Sequence, residues 1–191
     1  APGSTFKMVT STAGLAENVI TTGTTINCTG VFRDVSNEPK CWIYPGSHGA
    51  ETVSDAIRDS CNVFFYTTGF NLAAKDTGTY DDANGIAYIQ KYASIYGLNQ
   101  KTGIEIEENT PEIATEFPVM AAIGQSDNNF TTVSLSRYVT AVASGKLYNY
   151  QLMSRIVDIN GNVIESYEPE YTDISDTLNA GQWDAIHSGM R

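Results

Sequence analysis

The chain has 191 residues, 41% hydrophobic and 17% charged, enough to bury one substantial core, and no apolar run in it reaches the length of a membrane span. Acidic residues outnumber basic ones 22 to 11, for a net charge of −11, a balance that repels phosphate and argues against nucleic acid or an anionic lipid surface as partner. The sequence opens at Ala1 rather than Met, inside what reads as a buried helix, so its natural beginning is expected upstream.

Pro2-Gly3 suits the first turn of a helix, and Phe6, Val9 and Leu15 with small residues between them predict a buried helix over residues 5–18, with Gly14 inside it. Residues 21–49, rich in Thr, Gly, Cys and Pro, predict a hairpin or extended excursion with strand pieces near Thr25-Ile26 and Cys41-Trp42-Ile43-Tyr44. Residues 52–59 read as a short helix capped by Thr52 or Ser54. A second helix just after Ser60 takes Val63, Phe64, Phe65, Leu72 and Ala73 into the core. A polar loop at 77–82 precedes an amphipathic helix over 84–96, with Ile86, Ile89, Ala93 and Tyr96 inward and Gly97 as its stop; 98–118 is an acidic loop. A helix is predicted over 132–144 with Leu135, Val139 and Val142 as its stripe. Asn160-Gly161 predicts a hairpin between 154–158 and 162–166, with positive φ at both turn positions, and 176–190 reads as a final helix burying Trp183, Ile186 and Met190. The fold class is mainly α with short β-hairpins.

Two places carry chemistry. Ser4 and Lys7 lie three residues apart where a helix begins, so they share one face. A serine hydroxyl needs a neighbouring base to become a nucleophile, and a desolvated lysine, neutral part of the time, can be that base. Such a pair arises by chance roughly once in a chain this long, and its plain alternative is a capping serine beside a solvated lysine. The second place is Ser60-Cys61-Asn62, a hydroxyl and an amide two residues apart at a helix junction, between Ala56-Ile57-Arg58-Asp59 and Val63-Phe64-Phe65-Tyr66.

Pro2-Gly3-Ser4-Thr5-Phe6-Lys7, then Ser60-Cys61-Asn62-Val63-Phe64-Phe65-Tyr66, then Ala122-Ile123-Gly124-Gln125 resembles the transpeptidase domain of penicillin-binding proteins, most closely the monofunctional class B type. The resemblance extends through Gly46-Ser47-His48-Gly49, Gly97-Leu98 to Glu105, and Ser188-Gly189-Met190-Arg191. It implies that Ser4 is the acylated nucleophile, Lys7 the base that takes its proton, Ser60 a relay toward the leaving amine, and Asn62 a hydrogen-bond partner of the substrate backbone. The implied reaction is D,D-transpeptidation: Ser4 attacks a D-Ala-D-Ala bond, D-Ala leaves, and an amine of a neighbouring peptidoglycan stem peptide resolves the ester. β-Lactams would acylate the same hydroxyl, and no cofactor is needed. The resemblance also implies a membrane-anchored protein at the extracytoplasmic face of a bacterial cell, with a glycosyltransferase among its partners.

Lys101-Thr102-Gly103 spells the family's third motif but precedes Ile123-Gly124-Gln125 rather than following it, so it is read as a structural loop. The catalytic copy is expected beyond Arg191, and the central sheet partly before Pro2 and partly after Arg191. Residues 1–191 are thus expected to be a partial domain: the helical lobe of the penicillin-binding protein and serine β-lactamase-like α/β fold, completed by the remainder of that domain and a poor catalyst alone.

Cys28, Cys41, His48 and Cys61 are spaced C-x12-C-x6-H-x12-C, three sulfurs and an imidazole that could form a tetrahedral set for structural Zn2+. A Cys28–Cys41 disulfide with Cys61 free, or three buried thiols, are the alternatives, and Asp34 could replace one ligand. Some class B penicillin-binding proteins carry a zinc beside the second motif, and the arrangement here is similar. His187 is read as an ordinary helix residue. A serine β-lactamase or D,D-carboxypeptidase and a non-catalytic β-lactam sensor are the competing functions.

Overall fold

The computed structural model describes residues 1–191, and the helix at its centre is the one that begins at the first motif. A 3-10 turn, Gly3–Phe6, runs into α1, Lys7–Ala16, where every residue from Lys7 to Leu15 is buried. Its polar residues do not strand their hydroxyls. Ser11 donates to the Lys7 carbonyl at 2.9 Å, Thr12 lies 2.7 Å from the Tyr96 hydroxyl, and Thr10 donates to the Ala122 carbonyl at 2.7 Å. Around α1 pack α2 (Val53–Arg58), α3 (Asn62–Ala74), α4 (Asp82–Ile95) and α7 (Ala180–Gly189), closing a core of 35 buried apolar residues. The short α5 (Pro118–Ala121) and the longer α6 (Thr132–Ser144) complete the helices.

The strands form three two-stranded antiparallel sheets and no central sheet. β1, Ile26–Cys28, pairs with β2, Gly49–Glu51, across the cysteine-rich excursion. β3, Lys146–Tyr148, pairs with β6, Tyr171–Asp173, while β4, Arg155–Val157, and β5, Val163–Ser166, form a separate hairpin. This is the mainly helical architecture with short hairpins expected from the sequence.

Four local expectations are corrected. Cys41–Tyr44 is a run of turns rather than a strand: Tyr44 N–H donates to the Cys41 carbonyl at 3.1 Å and Gly46 N–H to that of Ile43 at 2.9 Å, so these groups are not free for a ladder. On α6 the inward face is Ser134, Arg137, Tyr138, Ala141 and Val142, with Val139 36% exposed. Two polar residues find partners inside, Ser134 with Glu108 and Arg137 with the Tyr148 and Lys101 carbonyls, and so rotate the helix away from its apolar stripe. At the β4–β5 turn only Gly161 has positive φ (85°), because Gly161 N–H donates to the Asp158 carbonyl in a wider loop than a two-residue turn. Met190 caps the end of α7 at 37% exposure instead of packing inward. Ile156, Val157, Ile159, Val163 and Ile164 of the hairpin all face solvent.

Candidate active site

Lys7 is the first residue of α1, one turn after Ser4, and is 1% exposed, yet its ammonium is surrounded by oxygen. Nζ is 2.7 Å from Asn62 Oδ1, 2.8 Å from the Ser60 carbonyl, 2.9 Å from Ser60 Oγ and 3.2 Å from Ser4 Oγ. Ser60 Oγ donates to Ser4 Oγ at 2.9 Å. The structure therefore brings Ser4, Lys7, Ser60 and Asn62, from two elements more than fifty residues apart, into one hydrogen-bonded group. Burial pushes the Lys7 ammonium down to about 8, against the opposing pull of Cys41, Cys61 and Glu51. Ser4 is exposed at the mouth of an open cleft of about 450 Å3, lined by Met8, Arg58, Ser60 and the end of α7.

Backbone geometry explains how Ser60 reaches this position. Thr52 and Asp55 form a reciprocal capping box at the start of α2. At its end, Cys61 N–H donates to the Ala56 carbonyl at 2.9 Å and Ser60 N–H to that of Ile57 at 3.2 Å, the paired bonds of a Schellman stop. Ser60 occupies the left-handed position of that motif (φ 52°), where glycine is the usual residue, and this turns its carbonyl toward Lys7. On the other flank, Gly3 N–H donates to the Gly124 carbonyl at 3.1 Å. A Cβ on Gly124 would fall 2.2 Å from the Gly3 carbonyl oxygen, so the Ile123-Gly124-Gln125 segment touches the turn that carries Ser4 as only glycine allows.

Lys101-Thr102-Gly103 lies away from this group, in a loop held by the Thr102 N–H and hydroxyl on Glu108 at 2.8 and 3.0 Å. His187 Nε2–H donates to the Val142 carbonyl near the end of α6 at 2.8 Å, and the ring serves packing.

Beneath Ser60 and Asn62, the three cysteines are free, buried thiols. The Cys28, Cys41 and Cys61 sulfurs and one His48 ring nitrogen lie within 4.8 Å of one another. Asp34 is exposed and lies in another groove beside Phe70, outside this set. Cys41 Sγ is 3.6 Å from His48 Nδ1. A sulfur and a nitrogen bound tetrahedrally to one Zn2+ stand about 3.6 Å apart, so this pair already has the spacing a metal requires. The Cys61 thiol and the Asn62 and Val63 amides direct hydrogens at Cys41 and hold its thiol well below the usual range. The donor set fits a divalent metal of zinc type. Glu51, overlooked in the sequence because it sits in a short strand outside any motif, lies beside this cluster.

The family model described as the penicillin binding protein transpeptidase domain matches residues 1–190. Among curated proteins the chain is 29% identical over 219 residues to peptidoglycan D,D-transpeptidase MrdA of Haemophilus influenzae, covering 99% of this chain and 30% of that protein. Among solved structures it is similar to a chain of a peptidoglycan synthase complex that coordinates polymerization and crosslinking (25% identity, TM-score 0.80, 98% of this chain and 31% of that one). It also shares the fold of penicillin-binding protein 2 of Helicobacter pylori (22% identity, TM-score 0.75, 99% of this chain and 34% of that one). The chain thus spans about a third of the length of these relatives.

Proposed function

The chain belongs to the penicillin-binding protein transpeptidase domain family, and from that membership we propose that it supplies the nucleophile and base of a serine D,D-transpeptidase acting on peptidoglycan stem peptides. The observation that carries this reading is the position of Lys7 Nζ, within hydrogen-bond reach of Ser4 Oγ, Ser60 Oγ and Asn62 Oδ1 at once. An ammonium has three protons for the four acceptors around it. Once neutral, it keeps two N–H bonds, best spent on the shortest contacts, to Asn62 Oδ1 and the Ser60 carbonyl, and its lone pair is left for the Ser4 hydroxyl.

In this mechanism Ser4 Oγ attacks the carbonyl carbon of the penultimate D-Ala as its proton passes to Lys7 Nζ. The carbonyl oxygen becomes an oxyanion facing the Ser4 N–H of the 3-10 turn, the Gly3 N–H being taken by the Gly124 carbonyl. Collapse breaks the C–N bond, and the proton returns through Ser60 Oγ to the departing D-Ala amine. The ester on Ser4 is then attacked by a stem-peptide amine, whose proton follows the same route and frees the hydroxyl. With a β-lactam, the broken C–N bond lies in a ring, so the leaving amine stays tethered and the ester persists.

Bound at Cys28, Cys41, His48 and Cys61, a Zn2+ would supply rigidity and no chemistry of the reaction. Cys61 is the covalent link between Ser60 and Asn62, so anchoring its sulfur fixes both side chains that face Lys7. We also assign the protein to the extracytoplasmic face of a bacterial membrane, with a polymerising glycosyltransferase as partner, on the strength of its relative in a peptidoglycan synthase complex.

Incubation with a fluorescent penicillin, followed by peptide mapping, tests the reading. An adduct on Ser4 that is absent from Ser4→Ala supports it, and labelling that persists in that variant overturns it. No strand flanks Ser4 in the described fold, so we expect residues 1–191 alone to label slowly and incompletely. Rapid stoichiometric labelling would refute that part.

A further inference from the structure

β2 ends on a buried glutamate that makes no hydrogen bond, its one ionic neighbour being the His48 ring 4.0 Å away. Glu51 is 3% exposed, and neither of its carboxylate oxygens has a hydrogen-bond partner. A carboxylate in a protein interior is normally paired, hydrogen-bonded or bound to a metal. Its position follows from strand register: Ile26 pairs with Glu51 and Cys28 with Gly49, and residues two apart on a strand share a face, so Glu51 lies on the face that carries Cys28. Slipping the pairing by one residue would send it to solvent.

Its oxygen points at the sulfur cluster. Glu51 Oε2 lies 4.0 Å from His48 Nδ1, the same nitrogen that stands 3.6 Å from Cys41 Sγ, and the carboxylate also faces the Cys61 thiol. No lysine or arginine makes an ion pair with it, since the Lys7 contacts go to Ser4, Ser60 and Asn62. A Cys3His set is complete for a closed tetrahedral site without any further ligand. A buried carboxylate without a hydrogen bond, 4.0 Å from the imidazole of that set, stands at its edge as a further oxygen donor.

We propose that Glu51 is a fifth donor of this site, giving a divalent metal one carboxylate oxygen alongside three sulfurs and one imidazole. The site is then a mixed sulfur, nitrogen and oxygen centre that accepts five-coordinate Zn2+ or Co2+ and discriminates against Cu+, which favours sulfur alone. The inference rests on the metal reading of Cys28, Cys41, His48 and Cys61, and adds the residue that sets its coordination number.

Co2+ serves as the probe, titrated into residues 1–191 carrying Glu51, Glu51→Gln or Glu51→Leu, with circular dichroism confirming the fold of each. The starting protein should show thiolate-to-cobalt charge transfer together with the weak visible bands of a five-coordinate ion. Both variants should keep the charge transfer, gain the stronger visible bands of a tetrahedral ion, and bind Co2+ at least about tenfold more weakly in competition with a chelator. Visible bands that are the same in all three proteins overturn the ligand role, whether or not affinity falls, since a fall alone reports charge rather than coordination. A starting protein that takes up neither Co2+ nor Zn2+ overturns the metal reading itself, and this inference with it.

Discussion

Ser60 sets stability against function in a single residue. Its left-handed backbone is one that glycine adopts freely and that costs a serine about 1 kcal/mol. Ser60→Gly should therefore raise thermal stability slightly, by about 0.5–1 kcal/mol, while removing the hydroxyl that lies 2.9 Å from both Ser4 and Lys7 and so slowing β-lactam acylation. Melting curves and labelling rates on one preparation check the two signs together. Lys7 gives a second expectation at this scale. Its ammonium is lowered to about 8 by burial, and only the neutral amine can take the Ser4 proton. The acylation rate should thus climb about tenfold per pH unit below that value and level off above it, a profile that Lys7→Arg, always charged, abolishes.

At the scale of elements, short helices carry the site, and their ends matter more than their faces. Thr52→Ala removes the hydroxyl half of the α2 capping box and should cost about 1 kcal/mol in a urea melt, with part of the loss appearing as a looser Ser60 turn and slower labelling. Gly124→Ala drives a methyl into the Gly3 carbonyl, and should unseat the start of α1 and cut acylation far more than the Thr52 change does. The helices themselves were legible in the sequence, since α3 and α4 bury the residues their spacing assigns, and the pairing of Ser4 with Lys7 follows from helix geometry. What the sequence did not disclose depends on contacts far along the chain. The inward turn of α6 is decided by Glu108 and by carbonyls at 101 and 148, partners that no local periodicity contains. The run of turns at Cys41 and the burial of Glu51 likewise depend on where three sulfurs and an imidazole converge, beyond the reach of strand propensity.

Taken whole, the molecule divides into a helical body around α1 and a cysteine-rich flap, residues 26–51, packed beneath the corner formed by Ser4, Lys7, Ser60 and Asn62. If a metal fastens it, chelation should raise amide hydrogen exchange over residues 26–62 and leave the α4 and α6 amides protected; equal protection with and without chelator would contradict that division. The β4–β5 hairpin stands outside both parts, with Ile159 fully exposed and Ile156, Val157, Val163 and Ile164 bare around it. Two open strand edges beside so many branched side chains make it the adhesive spot of an otherwise repulsive, acidic particle. In concentrated solution that spot, rather than the cleft, is expected to govern clumping, which light scattering of the hairpin variants checks. Trading Ile159 and Ile164 for lysine is therefore the natural first step toward a preparation that stays clear at crystallisation strength with its chemistry untouched.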